Sequence, residues 1–211
     1  MQIAIPEPVP ESLTIIETMR GEPDGSIRLL DLHLARLQHG CSSVDFPLDM
    51  ADLHAAIAAN PWTCLSRVRL TVDITGRIEI SVQPLPDNPP VWHVAISSHR
   101  LNSADPWLRI KSSQRPVYDA ARRDMDGNIH EVLLLNEHGE ICEGSITNLF
   151  VCRGDEFLTP PVRCGLLPGV LRQSLLRRGL VREAVLRPED LQAGFYVGNA
   201  LRGLIAAKLH S

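Results

Sequence analysis

The sequence predicts a mixed fold, either α+β or α/β with antiparallel pairing, and three observations lead there. Runs such as Val68-Arg69-Leu70-Thr71-Val72 and Ile78-Glu79-Ile80-Ser81-Val82 alternate apolar and polar residues, as half-buried strands do. Other stretches repeat apolar residues three and four positions apart, the spacing of one helix face. Short turn signals, Thr75-Gly76 and Glu137-His138-Gly139-Glu140, join runs that follow one another directly, so the strands mostly meander.

Taken in order, Leu13 to Met19 is rich in β-formers and reads as a strand. Ile27 to Cys41 carries Ile27, Leu30, Leu34, Leu37 and Cys41 at helical spacing. Residues 49–59 predict a second helix, stopped by Asn60-Pro61. The two alternating strands follow around Thr75-Gly76, and Val91 to Ser97 is a third of that kind. Before it, Pro84, Pro86, Pro89 and Pro90 mark a domain boundary or sharp crossover, with the junction between Gln83 and Pro106. Pro116 to Arg123 predicts a helix with proline in its first turn. Val132 to Leu135 reads as a buried strand and Ile146 to Cys152 as its return after the 137–140 turn. Gly169 to Arg178 is helical and closed by Gly179; Val181 to Leu186 and Phe195 to Val197 are short strands.

Bulk properties exclude several classes. With 211 residues the chain is long enough for a real core, and scarce aromatics leave Leu, Val, Ile and Ala to fill it. A net charge of −4 argues against a nucleic-acid binder, and no apolar run reaches the length of a membrane span. Met1 to Glu7 lacks the pattern of a secretory signal. The five cysteines, Cys41, Cys64, Cys142, Cys152 and Cys164, are odd in number and lack CxxC spacing, which fits reduced thiols in the cytoplasm. No disulfide framework or metal site is expected.

Lysine is nearly absent: 19 of the 21 basic residues are Arg, leaving Lys208 near the C-terminus and Lys111 mid-chain. Guanidinium does not deprotonate in proteins, so Arg cannot stand in where a neutral nucleophilic amine is needed. A desolvated lysine can form a Schiff base with an aldehyde. Three further segments could carry chemistry. Leu166-Leu167-Pro168-Gly169-Val170-Leu171-Arg172 is a loop running into a helix, whose first N–H groups lack intrahelical partners and suit a phosphate; equally, it could be an ordinary Pro-Gly turn. Glu143 lies between two apolar strands, as a buried carboxylate needing donors or as a solvated turn residue. Asn199 ends the apolar run Phe195-Tyr196-Val197-Gly198, as a ligand or a plain turn residue.

In their order along the chain these segments resemble the class IV aminotransferase family, the fold-type IV pyridoxal-phosphate (PLP) enzymes, which includes D-amino-acid and branched-chain aminotransferases and aminodeoxychorismate lyases. The resemblance spans Ile16 to Ala206 and rests most on Lys111–Arg122, on Glu143-Gly144-x-x-x-Asn148-Leu149-Phe150, on Thr159-Pro160-Pro161…Gly165-Leu166-Leu167-Pro168-Gly169, and on Val197–Ile205. It implies an α+β, D-amino-acid aminotransferase-like architecture: a small α/β N-terminal domain over 1–100, then a larger domain over 101–211 that bears the lysine on a barrel-like mixed sheet. It also implies a PLP cofactor and a homodimer acting on a small amino-acid-like carboxylate.

Residue by residue, the resemblance makes Lys111 the Schiff-base lysine and the acid/base at the substrate carbon. Glu143 becomes the carboxylate facing the pyridine nitrogen, where it keeps the ring protonated. Arg36, in His33-Leu34-Ala35-Arg36-Leu37, matches the phosphate arginine, and Gly169, Val170, Leu171 and Asn199 complete a phosphate cup. Arg67 and Arg69 alternate onto one strand face, as solvated charges or as the substrate-carboxylate arginines that the resemblance implies. Thr18 falls on the cofactor's substrate face as a catalytic and binding residue, with Ala200 in the substrate-binding set. Threonine at position 18 and the Gly198-Asn199-Ala200-Leu201-Arg202-Gly203 ending resemble the aminodeoxychorismate-lyase branch, which feeds folate synthesis.

Two features depart from the family. Its opening strand and Asp-Arg-Gly segment, tied to pocket closure and dimer contact, correspond here only to Met1–Ile15. Its tyrosine five residues after the lysine is replaced by Pro116, and Tyr118 either serves from a different angle or packs in the core. Three readings stay open: a PLP lyase of that branch, a transaminase on a branched-chain or D-amino acid, and a PLP-binding protein without turnover.

Overall fold

A computed structural model describes Ile5 and residues 8–210 of the chain; the reading of Met1–Glu7 falls almost wholly outside them. The backbone divides into two compact units. One runs to Asp87 and includes Ile110–Gln114; the other comprises Asn88–Arg109 and continues from Arg115.

The first unit holds β1 (Thr14–Gly21), α1 (Leu30–Ser43), α2 (Met50–Ala58), β2 (Ser66–Asp73) and β3 (Ile78–Pro84), with the strands antiparallel in the order β1-β2-β3. Alternation decides the faces. Val68, Leu70 and Val72 are fully buried, while Arg67, Arg69 and Thr71 lie on the other side of the pleat. The helix expected from Ile27 begins only at Leu30. Leu29 takes a left-handed conformation, φ 57°, and Ile27 instead bridges back to Gly21. Asp49 caps α2 by accepting the N–H groups of Ala51 and Asp52.

Ile110–Gln114 groups with this unit because it runs antiparallel along β1. The Ile16 N–H donates to the Lys111 carbonyl at 2.8 Å, and the Ser113 N–H to the Thr14 carbonyl at 2.9 Å. Lys111 is thereby carried on an extra strand-like segment beside β1, whereas the sequence reading draws its domain line at 100/101.

The second unit contains β4 (Val91–Leu101), α3 (Pro116–Arg123), β5 (Glu131–Asn136), β6 (Ile141–Gly144), β7 (Asn148–Arg153), β8 (Glu156–Thr159), α4 (Val170–Arg177), β9 (Arg182–Glu183), β10 (Phe195–Asn199) and β11 (Gly203–Leu209). Its eight strands form one sheet in the order β6-β5-β4-β11-β10-β7-β8-β9. The expected meander holds for β5–β6, β7–β8 and β10–β11. However, the return strand after the 137–140 turn is β6 and not the expected Ile146–Cys152 run, which as β7 pairs with β10 and β8 instead of β5; β4 runs parallel to both β5 and β11, and β8 runs parallel to β9, so the sheet is mixed. The unbroken run Val132–Leu135 has a direct cause. Leu133 and Leu135 join one apolar cluster with Ile141, Leu149 and Val197, while Val132 and Leu134 join another with Tyr118, Ala121 and Cys142. A strand covered on both faces has no polar positions to alternate. Short β6 and β8 and alanine-bearing β11 are elements the pattern did not suggest, and the strand expected over Val181–Leu186 reduces to the two residues of β9. All five cysteines are free thiols.

The β2–β3 turn is tied by Asp73 Oδ1, which accepts the Thr75 N–H, the Thr75 hydroxyl and the Arg77 N–H. Gly76 sits at φ +82°, and a Cβ there would lie 2.7 Å from the Pro47 carbonyl oxygen. Gly76→Ala is therefore expected to cost about 1–3 kcal/mol in urea unfolding, from the positive φ and the contact with Pro47 together; an unchanged midpoint would refute the strain.

Candidate active site

In the first unit, Thr18 on β1 stands directly across from Arg69 on β2, and Arg69 across from Ser81 on β3. Arg67, on the same face, donates to Gln83 Oε1 at 2.5 Å. Thr18, Arg67, Arg69 and Lys111 are all half-buried. The sheet therefore lines up the threonine and both predicted substrate arginines on one face, with the Lys111 segment running beside β1.

Behind that face is a buried ionic cluster. Strand periodicity turns Glu17, the neighbour of Thr18, toward α1. Arg36 grips it with two parallel bonds, Nε to Oε1 at 2.7 Å and Nη2 to Oε2 at 2.6 Å. His33 Nδ1 approaches the same Oε2 at 2.7 Å; because a carboxylate only accepts, Nδ1 carries the proton. The Nε2 of His33 is buried and meets no partner among the described residues. Burial alone would push the Glu17 carboxyl upward. The Arg36 charge and hydrogen bonds, with His33 added, outweigh it and hold the group at about 2. Arg36, expected at a phosphate, is thus committed to Glu17 through Nε and Nη2, with Nη1 on the far side of the fork.

In the second unit, Glu143 on β6 is only 4% exposed. Its Oε1 accepts the Tyr118 hydroxyl at 2.6 Å and the Leu167 N–H at 2.9 Å; its Oε2 accepts the Asn148 side-chain amide at 3.1 Å. Burial, then the Glu143 charge, hold the Tyr118 phenol protonated well above its usual range, so it stays a donor. Tyr118 accordingly packs in the core and also serves Glu143. On β5, the strand paired with β6, lies Glu131, fully buried. It accepts the Ser145 N–H and hydroxyl, the Ile146 N–H and the Thr147 hydroxyl, at 2.5–3.1 Å. Those donors belong to the turn joining Glu143 to Asn148. Gly144 is required there, since a Cβ would lie 2.7 Å from Glu131 Oε2.

The predicted phosphate loop ends at Gly169, the N-cap of α4, which has no side-chain cap. The helix starts at Val170 and Leu171 with its amides unspent on any such group. The loop itself is tied to Glu143 through Leu167. Arg172 is 2% exposed and bonds the Pro160 carbonyl and Glu183, which anchors α4 from behind. Asn199 ends β10, donates to the Ile146 carbonyl at 3.1 Å and accepts the Arg202 N–H at 2.9 Å. Ala200 opens the turn after it. Glu143 is therefore joined to the loop ahead of α4 through Leu167, and Asn199 to the turn that follows Glu143 through Ile146. The sequence had shown Asn148 and His33 only as motif letters, Tyr118 only as a choice between two roles, and gave no sign of Glu131.

Residues 14–209 match the model of the amino-transferase class IV family. A provisionally named aminodeoxychorismate lyase of Schizosaccharomyces pombe is 26% identical over 81% of this chain and 78% of its own length. Aminodeoxychorismate lyase of Saccharomyces cerevisiae is 28% identical over 79% of the chain, which spans 62% of that relative. Among solved structures, a protein of Mesorhizobium loti provisionally named an amino-acid aminotransferase is 40% identical, with a TM-score of 0.87 over 94% of this chain and all of that one.

The Glu17 cluster has a pH signature. A carboxyl held near 2 when folded and near 4.5 when unfolded stabilises the fold fully above about pH 4.5, and that stability is lost as pH falls toward 2. Urea unfolding of the native chain and of Glu17→Gln should show a gap that is constant above pH 4.5 and narrows below it. A gap independent of pH would contradict the assignment.

Proposed function

The chain belongs to the amino-transferase class IV family of PLP enzymes, and we propose that it works as an aminodeoxychorismate lyase of that family, releasing pyruvate and 4-aminobenzoate from 4-amino-4-deoxychorismate. Its two sheets are those of fold type IV, as in the M. loti structure. The observation that carries the cofactor reading is the link between a buried carboxylate and an uncapped helix start, Glu143 to Leu167 to Gly169. These residues fit PLP chemically: a carboxylate for the protonated ring nitrogen, and helix-start amides without a side-chain cap for the phosphate.

In this reading Glu143 faces the ring nitrogen. The amides of Val170 and Leu171, with Gly169, Asn199 and Arg36, take the phosphate. When bound, PLP supplies an electron sink that makes a proton on the carbon bearing the substrate amine removable. Lys111 would hold the cofactor aldehyde through its amine and, once the substrate amine has displaced it, would accept that proton; a guanidinium could do neither. Arg69 and Arg67 bind substrate carboxylate, and Thr18 and Ala200 line the space beside it. The lyase assignment is supported by two curated relatives of that name and by threonine at position 18. The protein would act as a homodimer in the cytoplasm, in keeping with its five unpaired thiols.

The M. loti likeness favours a second reading, a transaminase on an amino acid, in which the same residues would serve transfer of the amine to a keto-acid acceptor instead of the expulsion of pyruvate from the substrate. Pyruvate release from aminodeoxychorismate without a keto-acid acceptor identifies the lyase, and strict dependence on an acceptor the transaminase. Cofactor binding with neither activity identifies a binding protein. The purified protein should absorb as a PLP enzyme and gain the cofactor's mass at Lys111 on borohydride reduction. Lys111→Ala should lose about a thousandfold or more in turnover, and covalent cofactor retained by that variant would sink the assignment.

A further inference from the structure

We propose that Asn148 is a positioning residue that sets Glu143 and the start of α4 at a fixed separation, so that one side chain tunes the grip on both ends of the cofactor. The inference rests on the PLP reading above.

The Asn148 side-chain amide donates one hydrogen to Glu143 Oε2 at 3.1 Å and the other to the Leu167 carbonyl at 3.0 Å. The Leu167 N–H donates back to Glu143 Oε1 at 2.9 Å. Glu143, Asn148 and Leu167 therefore close a hydrogen-bonded ring, and the N-cap of α4 follows Leu167 by two residues. The amide orientation is dictated, because turning it over would set its oxygen against two acceptors. In this orientation the Asn148 oxygen packs where a Cβ on Gly169 would stand, so the glycine permits the contact.

Neither partner can drift independently. Asn148 opens β7 and is paired with Gly198 on β10. The turn leading to it is held by Glu131. Few side chains could replace it. Asp has no donor for either acceptor, Ser has one, and Gln is a methylene too long for the space against Gly169. A residue that merely stitched β7 to the loop would need only one of these two bonds.

The test uses the full chain, freed of cofactor, and three probes. These are PLP, 5-deoxypyridoxal without the phosphate, and 1-deaza-PLP with carbon in place of the ring nitrogen. Dissociation constants are measured by absorbance titration for the native chain, Asn148→Asp and Asn148→Ser. The native protein should prefer PLP to both analogues. In the variants both preferences should shrink by about tenfold, the worth of a charge-assisted hydrogen bond. Should Asn148→Asp not fold, Asn148→Ser decides, since it keeps one donor and adds no charge. A purely structural role would lower the melting temperature and weaken all three probes equally. Equal weakening, no weakening, or loss of preference at one end only overturns the proposal. If the native chain binds no PLP, the cofactor reading fails as well; if it binds PLP with preferences unmoved in the variants, only the Asn148 inference fails.

Discussion

A carboxylate removed from water must be met by donors, and the second unit is built around meeting Glu143. Donors reach it from distant elements, among them the Tyr118 hydroxyl on α3, the Asn148 amide on β7 and the Leu167 N–H ahead of α4. Leaving such a charge unmet costs several kcal/mol or more, far beyond the worth of a typical surface contact. Three elements distant in sequence are thereby constrained at once. Glu131 applies the same logic to the turn between Glu143 and Asn148, and Gly144 exists to let that second carboxylate in.

The first unit repeats the principle with a cation. Glu17 faces α1 and holds Arg36 in a two-bond fork with His33 alongside, while Thr18, one residue on, faces the other way. Because side chains alternate along a strand, anchoring Glu17 to the helix also fixes which face Thr18 and its cross-strand partner Arg69 present. The ionic cluster and the face proposed for substrate are two sides of one strand.

Lysine usage connects this architecture to chemistry. A chain that meets almost every need for positive charge with Arg keeps one mid-chain amine, and the fold lays that amine's segment along β1. The lyase and transaminase readings share every proposed binding residue and differ in whether pyruvate is expelled or the amine is passed to an acceptor, so identity of the machinery and identity of the reaction are separate questions.

Much of the fold could be read from periodicity. The alternation at Val68–Val72 and Ile78–Val82, the proline-led helix at Pro116 and the helix after Gly169 all rest on local geometry, and local geometry is written in neighbouring residues. The family motif likewise singled out Lys111, Glu143 and the α4 start. What the sequence by itself determined was which residue types stand at which spacing: a lone amine, a carboxylate between apolar strands, a loop entering a helix. Only the tertiary structure decided that β4 pairs in parallel with β5 and β11, that Arg36 spends two nitrogens on Glu17, and that Tyr118, Asn148 and Leu167 converge on one carboxylate. Those facts depend on which distant segments come within about 3 Å, the reach of a hydrogen bond, and no local pattern encodes that distance.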